Sequence, residues 1–169
     1  MAHGTVTEVV PASCEAVFEL LHDYDRRLEW DTLLRVARLD DGFTRAGKGV
    51  TSVCIGRRRL GGIRMRTVYV TFEPPVVAAV KLVEPSALFA RSAASIRHEA
   101  LGPASSRVTY TFEFRARPRA LRWLLEPFLV PIFRRETRRR LRALMDFLRE
   151  HPPPPPRPDV APLVSMSAT

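Results

Sequence analysis

Residues 107–150, RVTYTFEFRARPRALRWLLEPFLVPIFRRETRRRLRALMDFLRE, carry two different hydrophobic periods in one run. In the first nine residues Val108, Tyr110, Phe112 and Phe114 fall on one side of an extended chain, and Thr109, Thr111 and Glu113 on the other. That is the period of a strand with one wet and one buried face. After Pro118 the period becomes helical: Leu121, Leu124, Leu125 and Phe128, then Phe133, Thr137, Leu141, Leu144, Met145 and Leu148, continuing to Glu150. One long helix therefore closes the domain. Pro127 and Pro131 each remove a backbone donor and crowd a carbonyl one turn back, so a kink or break is expected there.

Upstream of this run, glycines at 42, 47, 49, 56, 61 and 62 punctuate segments rich in Val, Ile and Thr, which are hairpin signals. Six strands are read, over residues 33–39, 49–56, 64–73, 76–83, 89–101 and 107–115. Their connections are short, as at Pro74-Pro75, which predicts an antiparallel meander. In the fifth of them Ser92, Ala94, Ile96 and His98 alternate with Arg91, Ser95, Arg97 and Glu99, and small residues on the buried face leave room for something else. Ahead of the meander, residues 5–10 form a β-prone stretch ended by Pro11. Ser13 is placed as an N-cap with Glu15 in the first turn, and Val17, Phe18, Leu20, Leu21 and Tyr24 follow at helical spacing. This predicts a helix over 13–23, then a second short one from Asp25 carrying Leu28 and Trp30.

The chain has 169 residues, 46% of them hydrophobic, enough for one globular domain. The final nineteen, 151–169, hold seven of the fifteen prolines and read as a disordered or polyproline tail outside a domain spanning 1–150. No apolar run approaches the roughly 20 residues that span a bilayer. No secretory signal is visible at the N-terminus, so a cytoplasmic location is expected. Cys14 and Cys54 suggest neither a disulfide framework nor a metal site, and no metal or cofactor is expected.

The formal charge of +9 is unevenly spread: −5 over residues 1–41, +7 over 42–114 and +7 over 115–150, with 25 of the 27 basic residues arginine. Arg134, Arg135, Arg138, Arg139, Arg140 and Arg142 crowd nine positions against one acid, Glu136. The plain reading is a solvated helix face partly paired with acids of residues 15–41. The alternative is an anionic membrane surface, contacted by Arg134, Arg135, Arg138, Arg139 and Arg142 beside the mostly apolar WLLEPFLVPIF of 123–133; the protein would then sit peripherally at the membrane. Nucleic acid is disfavoured, because no recognition motif accompanies the charge.

One strand, two short helices, six antiparallel strands and a long helix follow one another in the order of the helix-grip fold. With VVPAS at 9–13 running into AVFELL at 16–21, Trp30, FEPP at 72–75, the strand Val108 to Phe114 and the arginine-rich helix, residues 4–150 resemble the START-related (SRPBCC) superfamily, in its polyketide cyclase/dehydrase and lipid-transport branch. The resemblance implies an α+β fold: a seven-stranded antiparallel sheet wrapped around a long C-terminal helix, with a hydrophobic ligand held between them. It implies a carrier or sensor of a lipid or polyketide-like molecule; the alternative is a cyclase/dehydratase.

The cavity candidates are Trp30, Tyr69, His98, Tyr110, Phe112 and Phe128. His98 is the best proton-transfer group, since imidazole titrates near neutrality, although a lone strand histidine is more often structural. Tyr110 could orient a ligand by its hydroxyl or simply fill core. Glu73 is a raised-pKa base if Tyr69, Thr71 and Glu73 face inward, and a solvated strand-end carboxylate if Val68, Val70 and Phe72 do. No set of residues forms a catalytic constellation.

Overall fold

The computed structural model describes residues 1–152; from position 153 onward the expected proline-rich tail lies outside the described residues. The elements are β1 (Ala2–Val10), α1 (Cys14–His22), α2 (Arg27–Trp30), β2 (Leu34–Leu39), β3 (Thr51–Gly56), β4 (Arg64–Glu73), β5 (Val77–Leu82), β6 (Phe89–Gly102), β7 (Ser105–Ala116) and α3 (Arg122–Glu150). The sheet has seven strands in the order β1-β7-β6-β5-β4-β3-β2, each antiparallel to its neighbours. This is the helix-grip arrangement, in which consecutive hairpins build the meander and β1 returns beside β7.

Local chemistry explains most of the boundaries. The Ser13 hydroxyl accepts from the Ala16 amide at 3.3 Å, satisfying a donor at the start of α1 that would otherwise have no partner. Gly61 and Gly62, in the turn between β3 and β4, have φ of 77° and 59°, a region that costs a side-chain-bearing residue energy. α3, however, does not break at its prolines: it runs 29 residues with Pro127 and Pro131 inside it. Trp123, Pro127 and Pro131 fall four residues apart on one exposed side, so the carbonyls that lose their amide partners face water, which can supply the missing bond.

One irregularity resets the inner face. The pairing of β4 with β5 shifts between Tyr69 and Thr71, a bulge at Val70. Met65, Thr67 and Tyr69 face the concave side before it and Phe72 after it, so the rings of Tyr69 and Phe72 lie 5.4 Å apart. Val70 and Glu73 are exposed. Neither expected parity of this strand holds along its whole length, because an extra residue in one strand swaps inside for outside.

α3 packs against β1 and β7, and α1 against β6 and β7. Leu141, Leu144 and Leu148 of α3 bury into one cluster with Val6, Val10, Val17 and Val108. A second cluster joins Phe18 of α1 to Tyr69 and Ala78, with Phe72 alongside, and a third gathers Phe89, Phe112 and Phe114 against Leu129 and Phe133. The middle of the concave face is left without a covering element. At its edge, a methyl group on Gly4 would sit 2.5 Å from Cζ of Phe112. Gly4→Ala is therefore expected to lower the urea midpoint by an amount equivalent to about 1–3 kcal/mol; an unchanged midpoint would mean that the Phe112 ring is free to move aside.

Candidate functional site

Between α3 and the concave face lies a cavity of about 420 Å³. One end is apolar. The Phe133 ring approaches those of Phe89, Phe112 and Phe114 at 5.4, 5.6 and 5.2 Å between centroids. Ala78, Ser92 and Ala94 contribute to the wall, and their short side chains are what keep it from closing.

The other end is polar and tightly connected. Tyr24 and Tyr69 place their hydroxyls 3.2 Å apart. Arg27 Nε donates to Asp31 Oδ2 at 2.9 Å, an Arg27 terminal nitrogen donates to the Leu21 carbonyl, and Asp31 Oδ1 accepts from the Leu33 amide at 3.0 Å. Arg140 reaches in from α3 and brings its Nε to 2.8 Å from the same Asp31 Oδ2. The Trp30 ring lies under both guanidiniums, 5.0 Å from that of Arg27 and 5.8 Å from that of Arg140, distances at which the ring face attracts a cation.

Burial sets the protonation of the surrounding groups. It holds the Tyr110 hydroxyl up at about 12 and the Cys54 thiol up at about 11, so both stay protonated at neutral pH. It pushes His22 down to about 3, helped by the nearby Arg27 charge; the neutral ring makes a 2.7 Å bond between Nδ1 and the Phe18 carbonyl. Burial is the largest single influence on Arg27 and disfavours its charge, but the Asp31 carboxylate together with Tyr24, Cys54 and Tyr69 outweighs it and raises the guanidinium pKa.

Of the residues singled out in the sequence, Tyr69, Tyr110 and Phe112 line the cavity. Trp30 is buried behind its wall. Phe128 is 66% exposed on the outside of α3. His98 does face inward, but under α1, its ring 5.4 Å from that of Phe18 and away from the cavity lining. Glu73 points to solvent. The proton-transfer candidates are thus not assembled: only Tyr110 is at the cavity. His22, Tyr24, Arg27, Asp31 and Arg140 were missed. A signal for Arg140 was present, since it follows Thr137 by three and precedes Leu144 by four residues, on the buried stripe of α3. Arg134, Arg135, Arg138, Arg139 and Arg142 line a groove on the outer side of α3. The expected pairing of this run with the acids of 15–41 is made by Arg140 with Asp31, while Arg138 pairs with Glu8 at 3.2 Å.

The model of the polyketide cyclase/dehydrase and lipid transport family matches residues 1–147. The chain belongs to this family. Solved structures with the family's fold include one of Thermus thermophilus (14% identity, TM-score 0.75, covering 89% of this chain and 99% of that one). Another is the Zhui aromatase/cyclase of Streptomyces sp. R1128 (15%, TM-score 0.73, 88% and 94%). A third is a START superfamily protein of Mycobacterium smegmatis (12%, TM-score 0.66, 89% and 97%). At such identities the likeness is one of fold. A comparison with curated protein sequences found no match. Among the described residues no cluster of three His, Cys, Asp or Glu side chains is placed to hold a metal.

The buried histidines of this family member make its stability depend on pH. His98 is pushed down to about 4 by burial, and neither of its ring nitrogens has a partner among the described residues. In the unfolded chain it titrates near 6.5. The unfolded state therefore binds protons first, and stability falls as pH drops from about 6.5 toward 4. His98→Phe is expected to show a smaller loss of urea midpoint between pH 7 and pH 5 than the unsubstituted chain; an equal loss would assign the acid sensitivity elsewhere.

Proposed function

We propose that this protein holds a hydrophobic small molecule, a lipid or polyketide-like compound, between its sheet and α3, as a carrier or sensor. The observation that supports this most is the cavity of about 420 Å³, walled by phenylalanines at one end and kept open by Ala78, Ser92 and Ala94, with a few convergent polar groups at the other. That combination is the usual form of a small-molecule site. The enzymatic alternative, a cyclase or dehydratase, calls for at least two proton-transfer groups around one ligand position. With His98 under α1 and Glu73 in solvent, the binding reading is the stronger.

The neutral fluorophore N-phenyl-1-naphthylamine tests it directly. Its emission should rise on titration with the protein, and Ala94→Phe should weaken binding on the order of tenfold with unchanged circular dichroism. Equal binding by the two proteins would argue against the cavity as the site.

An apolar ligand needs a reservoir, and we propose an anionic membrane surface. Trp123 is 77% exposed and Phe128 66%, and both precede the groove of Arg134, Arg135, Arg138, Arg139 and Arg142 on the same helix. Apolar rings next to a basic face suit an interfacial helix. No helix among the described residues is long and apolar enough to cross a membrane. Vesicles containing phosphatidylglycerol should co-sediment the protein more than pure phosphatidylcholine vesicles, the excess falling with salt and with Trp123→Ala. Equal sedimentation with both vesicle types would remove the proposal.

A further inference from the structure

Two guanidiniums share one carboxylate at the polar end of the cavity. Oδ2 of Asp31 faces Arg27 Nε at 2.9 Å and Arg140 Nε at 2.8 Å, while Oδ1 is taken by the Leu33 amide. The Asp31 side chain is wholly buried, that of Arg27 7% exposed and that of Arg140 12%. The Arg140 contact is an ion pair without the alignment of a hydrogen bond: its buried Nε has no hydrogen-bond partner among the described residues. Arg27 and Arg140 both line the cavity. So do Arg59 and Glu136, which approach each other only to 3.9 Å, and Glu136 Oε2 is itself buried without a hydrogen-bond partner. Arg59 is 43% exposed and donates to the Thr32 carbonyl, so water and the backbone meet its charge, and the largely buried set is Arg27 and Arg140 with Asp31 and Glu136.

A guanidinium held only for structure would spend its five donors on carbonyls and carboxylates of the chain. Arg140 Nε is buried beside Asp31 without a hydrogen-bond partner among the described residues, and a desolvated guanidinium donor left unmatched is costly unless an acceptor joins it. The aromatic faces of Trp30, Tyr24 and Tyr110 attract the cations but supply no countercharge. The buried hydroxyls of Tyr24, Tyr69 and Tyr110 remain protonated and can donate to the same guest. We infer that the cavity selects a monoanionic amphiphile: an apolar body in the phenylalanine-lined end and a carboxylate seated on Arg27 and Arg140. Planar guanidinium matches a carboxylate in shape as well as charge. This inference rests on the cavity being a ligand site, and adds that the ligand is acidic.

The test uses the full chain at pH 8 with three probes of equal length, dodecanoate, dodecanol and dodecylamine, each displacing N-phenyl-1-naphthylamine. Dodecanoate should displace the fluorophore at a concentration on the order of tenfold lower than dodecanol, with dodecylamine weakest. Arg140→Gln, with circular dichroism confirming that it stays folded, should remove the preference, the ratio of the dodecanoate to the dodecanol displacement concentration rising to about one. The double substitution Arg138→Gln, Arg142→Gln, on the outer face of α3, should leave the preference intact; its loss there would place the acid on the outer groove and overturn the inference. Equal affinity of acid and alcohol for the unsubstituted protein would overturn it as well, with the cavity reading left standing. Failure of the fluorophore and all three probes to bind would instead count against the cavity reading itself.

Discussion

A single helix of 29 residues has to close the concave face of a seven-stranded sheet. It is too narrow to do so. α3 lies over β1 and β7, and α1 covers part of β6 and reaches β4 and β5 only through Phe18 and His22, so much of the inner surface of β3, β4 and β5 has no helix to pack against. A strand face that bears apolar residues must still be kept from water. Large side chains converging from the rim, Phe133 from the helix and Phe89, Phe112 and Phe114 from the sheet, roof one end of the gap. The short side chains of Ala78, Ser92 and Ala94 prevent them from filling it. The cavity thus follows from the architecture and from three small residues, and is not a packing defect spread across the core.

The polar end is held by a second constraint. α2 is only four residues long and cannot fix its own orientation, yet Trp30 within it is fully packed. The Asp31 carboxylate, just past its end, ties it both to its own Arg27 and to Arg140 of α3. Breaking a buried pair by removing one partner typically costs about 3–5 kcal/mol, because a charge is left behind without compensation. Two members of the ion cluster that anchors α2 to α3, Arg27 and Arg140, also line the cavity, so the groups proposed to select the ligand are also ones that hold the fold.

The order of elements was legible because it depends on period alone: alternation in Val108 to Phe114, helical spacing in Thr137, Leu141, Leu144 and Leu148. Those four α3 residues are the buried ones. The site was less so, for identifiable reasons. Val70 is an ordinary strand residue, and nothing in its neighbourhood announces that it bulges, though the bulge decides that Tyr69 and Phe72 share a side and that Glu73 does not. Alternation correctly turned His98 inward, but not every inward position on a long strand meets the same space: Ser92 and Ala94 reach the cavity, while His98 lies beneath α1. Arg140 was hidden among five solvated arginines. Phe128 reads as a lining residue from its apolar character, but it lies nine residues before the buried Thr137, about 180° around the helix, and so points outward. Long-range partners such as Asp31 and Arg140, more than a hundred positions apart, leave no local trace.

On the proposed function, the space under α3 belongs to a small molecule. Native mass spectrometry of freshly purified protein, run beside Ala94→Phe prepared identically, addresses it most directly. A population of the unsubstituted chain should carry one noncovalent small molecule, released on collisional activation and depleted in the Ala94→Phe protein. The same bound population in both proteins, or bare chain in both even after incubation with dodecanoate, would contradict it.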